Sequence, residues 1–553
     1  MKRLHIIIGV TLTLSTTGAR AQSQVRDSTL NRTVVVEQEY NPTISDAVKV
    51  NAVPRVLPPT AVKQQAEYDI QAQPADNVPA GIMPVYTMPE AWKRAGLGFV
   101  RLGYGNNGNL DAAAALDWLS PGKNDRLTAR IQLDGMNGNL KIDDADVRQV
   151  MQRDTWGAYR YHTHADADYT HLFPKLTLTL GGNYDLHNFN YLSYPQSARS
   201  RLTSNDVHLE LRSTGDNPRI SYHAGVTFAS YKRQDADIIN EHNWLFSGGM
   251  SVRLSPEQCV GVDAEVKLIT TSLDNRQVVD LTPYYQFGNR AWRIRLGLHT
   301  DFSSGGGRGF NPAPDVTATY SVAKGALLYA QAKGGRVLND LRRLEHLSLY
   351  GNTTLSAVAD AHQMPGYSYE RINAAVGFKA TPTDGLWFNL YLGMQAWYQD
   401  ILLQKEYTNI SDGYYTGTAE LPGYTLRTGL AQADTRNLYA GGELRYAYKE
   451  LFTLTADAVY RNWKLTGGEE AATDRSYLLS FKPLLEANVR ADVRPVPALL
   501  LTAGYHHISR NDANAYNAVS NLYVSGSYQI TNALSVYARF NNLLNSHYSY
   551  RPG

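Results

Sequence analysis

Residues 260 to 268 alternate without a fault. Val260, Val262, Ala264, Val266 and Leu268 share one face, while Gly261, Asp263, Glu265 and Lys267 share the other. A two-residue period of this kind is the signature of a strand, and charges confined to one side place it between an apolar medium and a wet one. Trp292, Ile294, Leu296 and Leu298 stand in the same way against Arg293, Arg295 and His299. So do Leu176, Leu178, Leu180, Tyr184 and Leu186 against Thr177, Thr179, Asn183, Asp185 and His187, and Leu485, Ala487, Val489, Ala491 and Val493 against Glu486, Asn488, Arg490, Asp492 and Arg494. Soluble sandwiches alternate too, but their strands average about 5 or 6 residues. Many segments here hold the pattern for about 9 to 12 residues, the length a tilted transmembrane strand requires.

Connection lengths sharpen the reading, because bacterial outer-membrane barrels alternate short periplasmic turns with longer outer loops. Short turns fall at residues 121–124, 173–175, 214–218, 255–257, 288–290, 323–325, 382–384, 449–450, 495–497 and 530–532. Between them lie mostly longer connections at 137–154, 191–201, 232–241, 303–312, 334–367, 401–436, 466–480 and 510–516, with a weaker one near Asp274. Ten short turns join twenty strands, and one more at Gly96–Tyr104 makes twenty-one. Single-chain bacterial barrels close with an even number, so the expectation is an all-β, antiparallel transmembrane barrel of twenty-two strands whose last strand would follow Gly553.

Composition agrees where it bears on the question. Beyond the N-terminus no apolar run reaches the roughly 18 residues that suggest a membrane helix. The 37 tyrosines suit the aromatic girdles of a membrane barrel, whose interfaces favour a ring with a polar tip. A net charge of +2 implies no nucleic-acid partner, and the single cysteine, Cys259, excludes a disulfide framework. Met1-Lys2-Arg3, the apolar stretch Leu4–Leu14 and the small-x-small triplet Ala19-Arg20-Ala21 form a secretory signal, with cleavage expected before Gln22.

Two segments carry a family resemblance. Ala538-Arg539-Phe540-Asn541-Asn542-Leu543-Leu544-Asn545 followed by Tyr548 resembles the penultimate strand and loop of TonB-dependent receptors. So does the long loop from Gly334, with Pro365 and Tyr367-Ser368-Tyr369-Glu370 entering a strand through Ala375-Val376-Gly377-Phe378. The resemblance covers residues 96–553. It implies an outer-membrane location in contact with lipid, and uptake or passage of a substrate energised by a TonB-type protein. Residues 22–95 depart from it, being too short for that family's plug domain. With eight prolines between Pro42 and Pro89, this leader is expected to be extended and periplasmic. Within it Arg32-Thr33-Val34-Val35-Val36-Glu37 resembles a TonB box, which makes Thr33, Val34, Val35, Val36 and Glu37 candidates for strand addition to that partner. A second reading is a non-transporting assembly barrel whose leader anchors a periplasmic or surface lipoprotein partner.

Catalytic motifs fail, and no cofactor or enzyme activity is expected. Gly103-Tyr104-Gly105-Asn106-Asn107-Gly108 fits a dinucleotide fingerprint, but no helix follows, so it reads as a hairpin turn. No G-x-S-x-G, H-E-x-x-H or C-x-x-C occurs. The best constellation is His162, His164, Asp166 and Asp168, which alternation puts on one strand face, where two imidazoles and two carboxylates could recruit a divalent metal. Asp143-Asp144-Ala145-Asp146 reads as a solvated acidic loop. Asp263, Glu265, Lys267, Arg293, Arg295, Glu486, Arg490, Asp492 and Arg494 are expected to line the lumen, chiefly as cross-strand pairs stiffening the wall.

Overall fold

The computed structural model describes residues 97–548, with interruptions at 121, 123, 143, 195–198, 215–218, 235–237, 273, 306, 356–363, 410–423, 467–475 and 513–515. The cleavage site, the leader and the TonB-box segment lie outside the described residues. In chain order the first strands are β1 (Gly98–Tyr104), β2 (Leu110–Leu119), β3 (Asp125–Lys141), β4 (Thr155–Leu172), β5 (Leu176–Asn190), β6 (Ser193–Tyr194), β7 (Arg199–Ser213) and β8 (Ile220–Gln234). Then come β9 (Ile238–Ser255), β10 (Gln258–Thr271), β11 (Asn275–Gly288), β12 (Trp292–Ser304), β13 (Phe310–Ala323), β14 (Ala326–Val337), β15 (Gly351–Leu355) and β16 (Ser368–Thr383). The last are β17 (Leu386–Asn409), β18 (Tyr424–Tyr448), β19 (Phe452–Leu465), β20 (Pro483–Val496), β21 (Leu499–Arg510), β22 (Val519–Gln529) and β23 (Ser535–Phe540).

Of these 23 described strands, all but β6 and β15 pair antiparallel with their neighbours along the chain, giving the twenty-one-strand meander that turn spacing predicts. The two ends of the meander meet through a side chain: the Tyr537 hydroxyl of β23 donates to Asp111 Oδ2 of β2 at 3.2 Å, passing over Gly103 of β1. The segment from Gly103 to Gly108 is the turn expected of it, a 3-10 turn at Asn106–Gly108 between β1 and β2. No described helix is long and apolar enough to cross a membrane.

The exposure pattern is that of a protein turned inside out. Leu296, Leu390, Leu392 and Leu438 are half-exposed or more, whereas Arg295, Asp315, Glu370, Asn389 and Glu486 are buried. Such a distribution is costly in water and favourable when hydrocarbon covers the outside. Aromatic rings mark both rims of the apolar belt. Phe228, Trp244 and Phe246 cluster towards the long-loop mouth, and Trp292 with Tyr320, and Tyr446 with Phe452, towards the short-turn mouth.

On the lumenal face, tyrosines lie over glycines of the adjoining strand, among them Tyr284 on Gly261, Tyr329 on Gly377 and Tyr523 on Gly504. The rings fill the space left by the missing side chains and seal the wall. At the β16–β17 turn Gly385 has φ +86, and an added Cβ would run into the Ala447 carbonyl of β18. Gly385→Ala therefore carries the left-handed backbone penalty of about 1–2 kcal/mol plus a backbone clash. A clear fall in the urea midpoint of the liposome-folded barrel is the expected measurement.

One expected loop is not a loop. The connection at 401–436 is mostly strand, because β17 continues to Asn409 and β18 begins at Tyr424. A bulge between Trp397 and Asp400, with Gln399 at φ 54, bends this hairpin where it leaves the wall. Beyond the bend both faces are covered: Ile401, Leu402 and Leu403 are all buried. Alternation is lost there because neither face meets solvent.

Candidate functional site

Among the described residues, the barrel's own connections cross the long-loop mouth. Residues 338–367, between β14 and β16, carry a short helix, Leu341–Leu347, and the strand β15. Asp340 caps the helix, its Oδ1 accepting from Arg343 N at 2.8 Å. One face of the helix goes to the β5–β11 wall. There Arg342 donates to Asp206 of β7 at 2.9 Å and Asn183 of β5 at 3.2 Å, and Leu341 N donates to Glu241 of β9 at 3.0 Å. The return leg is held when Arg276 of β11 donates to the Pro365 carbonyl at 2.9 Å.

The other side of the loop reaches β18. β15 pairs with β18 in parallel, Thr428 N donates to the Tyr350 carbonyl at 3.0 Å, and Gly366 N donates to Gln432 Oε1 at 3.0 Å. From the opposite direction the β5–β7 connection crosses as β6, pairing Ser193 with Thr425 and Tyr194 with Tyr424. In a meander of this length β5 and β18 stand on facing walls, so both connections span the lumen.

An apolar core locks them together. Phe189, Leu202, Tyr231, Leu341, Leu344, Ile401, Leu403, Leu430 and Phe481 form one buried cluster drawn from five wall strands, the loop and the β19–β20 connection. On the far face of the bent hairpin, Leu402, Ala431 and Ala433 pack under Leu478 and Leu479. The segment read as a solvated acidic loop instead joins this assembly. Asp144 accepts from Asp146 N and Val147 N to cap the helix Ala145–Met151, and it pairs with Lys405 of the hairpin. Burial works against the charge, but Lys405 and those backbone donors hold the Asp144 carboxyl below the usual carboxylate range. Four connections and one bent hairpin thus make a stopper with its own hydrophobic core.

Glu241 sits in the seat of this stopper, three residues beyond Trp244 on the loop side of the aromatic belt. Burial, together with the neighbouring Asp340 charge, pushes its carboxyl up.

Below the stopper the predicted lumenal charges face inward and largely pair along the wall. Arg295 donates to Asp315 at 2.7 Å and to Asp263 at 3.3 Å, with its guanidinium 3.8 Å over the Tyr284 ring. Glu265 pairs with Lys267 at 2.9 Å, Arg490 with Asp492 at 2.9 Å, and Glu486 with Arg461 at 3.0 Å. Arg293 offers its carbonyl to Thr319, and Arg494 N donates to the Leu451 carbonyl. Arg295–Asp315 and Arg461–Glu486 join neighbouring strands, as wall-stiffening requires, and Arg295–Asp263 reaches past β11, whereas Glu265–Lys267 and Arg490–Asp492 each lie two residues apart on one strand.

The predicted histidine constellation is brought together only in part. His162 and His164 stand on the lumenal face of β4, with Asp185 of β5 opposite His164 and His187 opposite His162. Asp185 Oδ1 lies 3.1 Å from His162 Nε2 and 2.7 Å from His164 Nδ1. Asp166 keeps a place beside His164 at 2.9 Å, but Asp168 leaves the group to pair with His208 of β7 at 3.1 Å. The cause is distance along the strand: Asp168 stands four residues from His164, roughly 13 Å of strand rise, further than a cluster of ligand atoms can span, whereas the directly opposed residue of the next strand is close.

A scan against protein-family models and a search of curated proteins each find no match. Solved structures do match the fold. The siderophore receptor PirA from Pseudomonas aeruginosa is 12% identical, with 81% of this chain and 76% of that chain covered and a TM-score of 0.54. The FrpB iron transporter from Neisseria meningitidis is 10% identical, with coverage of 82% and 76% and a TM-score of 0.57. The ferric-catecholate import receptor Fiu from E. coli is 9% identical, with coverage of 82% and 78% and a TM-score of 0.57. The fold is therefore that of the TonB-dependent receptor barrels.

Proposed function

We propose that this chain sits in the outer membrane and takes a substrate across it in the manner of TonB-dependent receptors. The observation that supports the reading is a wide, polar-lined barrel crossed by its own connections, which span the lumen between facing walls. A barrel of about this strand number encloses a lumen that must be filled or closed. A purely structural anchor has no use for a polar passage with a stopper at its outer mouth. The roles named for the fold neighbours, a siderophore receptor, an iron transporter and a ferric-catecholate import receptor, point in the same direction.

In this reading residues 1–21 direct export, residues 22–95 form a periplasmic leader, and Thr33–Glu37 add as a strand to a TonB-type protein. Strand addition needs backbone donors, and proline removes one. The detergent-solubilised full chain should capture the purified periplasmic domain of the source organism's TonB-type protein, with at least a tenfold loss on Val35→Pro. Equal capture by both chains sinks the TonB-box assignment; no capture by either removes the energised part of the proposal.

A further inference from the structure

We propose that the lumenal wall holds a divalent transition-metal ion between β4 and β5, ligated by His162 Nε2, His164 Nδ1 and the Asp185 carboxylate. These three ligand atoms lie within 4.8 Å of one another. Two imidazoles and a carboxylate suit zinc and its first-row neighbours better than calcium or magnesium, which prefer all-oxygen shells.

The surroundings are built as metal sites are built. In each ring one nitrogen faces the shared Asp185 oxygen, and the other faces a carboxylate of its own. For His162 Nδ1 that carboxylate is Asp134 at 3.2 Å, and for His164 Nε2 it is Asp166 at 2.9 Å. Carboxylates on the outer nitrogens fix ring orientation and leave the inner lone pairs for a cation. A third imidazole is at hand. The His187 ring stacks 4.0 Å from that of His162, its Nε2 is 2.9 Å from Glu345 Oε1, and its Nδ1 is buried with no hydrogen-bond partner.

Charge argues the same way. Asp134, Asp166, Asp185 and Glu345 surround the rings, and the cations beside them are Arg130 on Asp166 and Arg160 near Asp134. Four carboxylates against two guanidiniums place the rings in a negative field, the sign that draws a cation in. Beside the site, the His187–Glu345 contact ties β5 to the stopper helix. The proposal does not rest on the transport reading.

The experiment uses the full chain, purified without a histidine tag, stripped with chelator and titrated with Zn²⁺ and separately Co²⁺. One Zn²⁺ per chain is expected, with a cobalt spectrum of nitrogen–oxygen ligation. Asp185→Asn and His164→Gln should each weaken Zn²⁺ binding at least a hundredfold, and Asp134→Asn by about tenfold through the outer shell. Asp168→Asn, outside the cluster, should bind as the parent does. Absence of saturable Zn²⁺ binding by the unaltered chain overturns the proposal, as does full affinity in His164→Gln. Far-UV circular dichroism and heat-modified gel mobility confirm that each variant is a folded barrel.

Discussion

Leu296→Arg should destabilise the liposome-folded barrel by about 2–4 kcal/mol, the cost of an arginine near the bilayer midplane. Leu296 is 50% exposed on the outer face of β12, between Trp292 at one end of the strand and Phe302 towards the other. At a half-exposed leucine of a soluble protein the same change would usually stay within about 0.5 kcal/mol, since no buried contact is lost. The surrounding medium alone makes the difference. Gln331→Arg supplies the control, because Gln331 points from β14 to the lumen, next on the chain to the outward Ala330, and a wet face tolerates the charge. Urea titration of folding into liposomes would measure both. Equal tolerance of the two arginines would mean that water or protein, not hydrocarbon, covers Leu296.

How much of this was legible in the residues follows from what each part packs against. A wall strand meets the same two media along its whole length, so its identity is written locally in alternation, and the short turns then count the strands. The stopper is different. Ile401, Leu402 and Leu403 are buried among residues from β5, β7, β18 and the 476–481 segment, and no local period can announce partners so far along the chain. An adjacent apolar triplet was the available signal, since strands covered on both faces read as continuous apolar runs. The histidine site lies between these cases. The short turn after β4 pairs Leu172 with Thr177, and stepping outward one residue on each strand brings His164 opposite Asp185 and His162 opposite His187. Tight turns fix register, so Asp185 was recoverable from the sequence once the turn was used as a ruler.

Leu341→Asp with Leu344→Asp should unseat the stopper while leaving the wall intact, raising single-channel conductance in planar bilayers at least tenfold. Both leucines are buried in the core that joins the loop to β17 and β18. Burying two carboxylates there costs several kcal/mol, and about 5.5 kcal/mol is enough to carry a two-state element from almost wholly closed to almost wholly open. The seat also carries a pH signature. The Glu241 carboxyl is raised by burial and by Asp340 when the helix is docked, and returns to its ordinary value when the helix leaves. The docked state therefore holds the extra proton. Its advantage is complete at acid pH and declines as pH climbs from the ordinary glutamate range through the raised value. Conductance of the unaltered chain should accordingly rise towards alkaline pH, and Glu241→Gln, which cannot ionise, should stay closed throughout. A double-aspartate variant that conducts no better than the parent would show that something other than this loop closes the lumen.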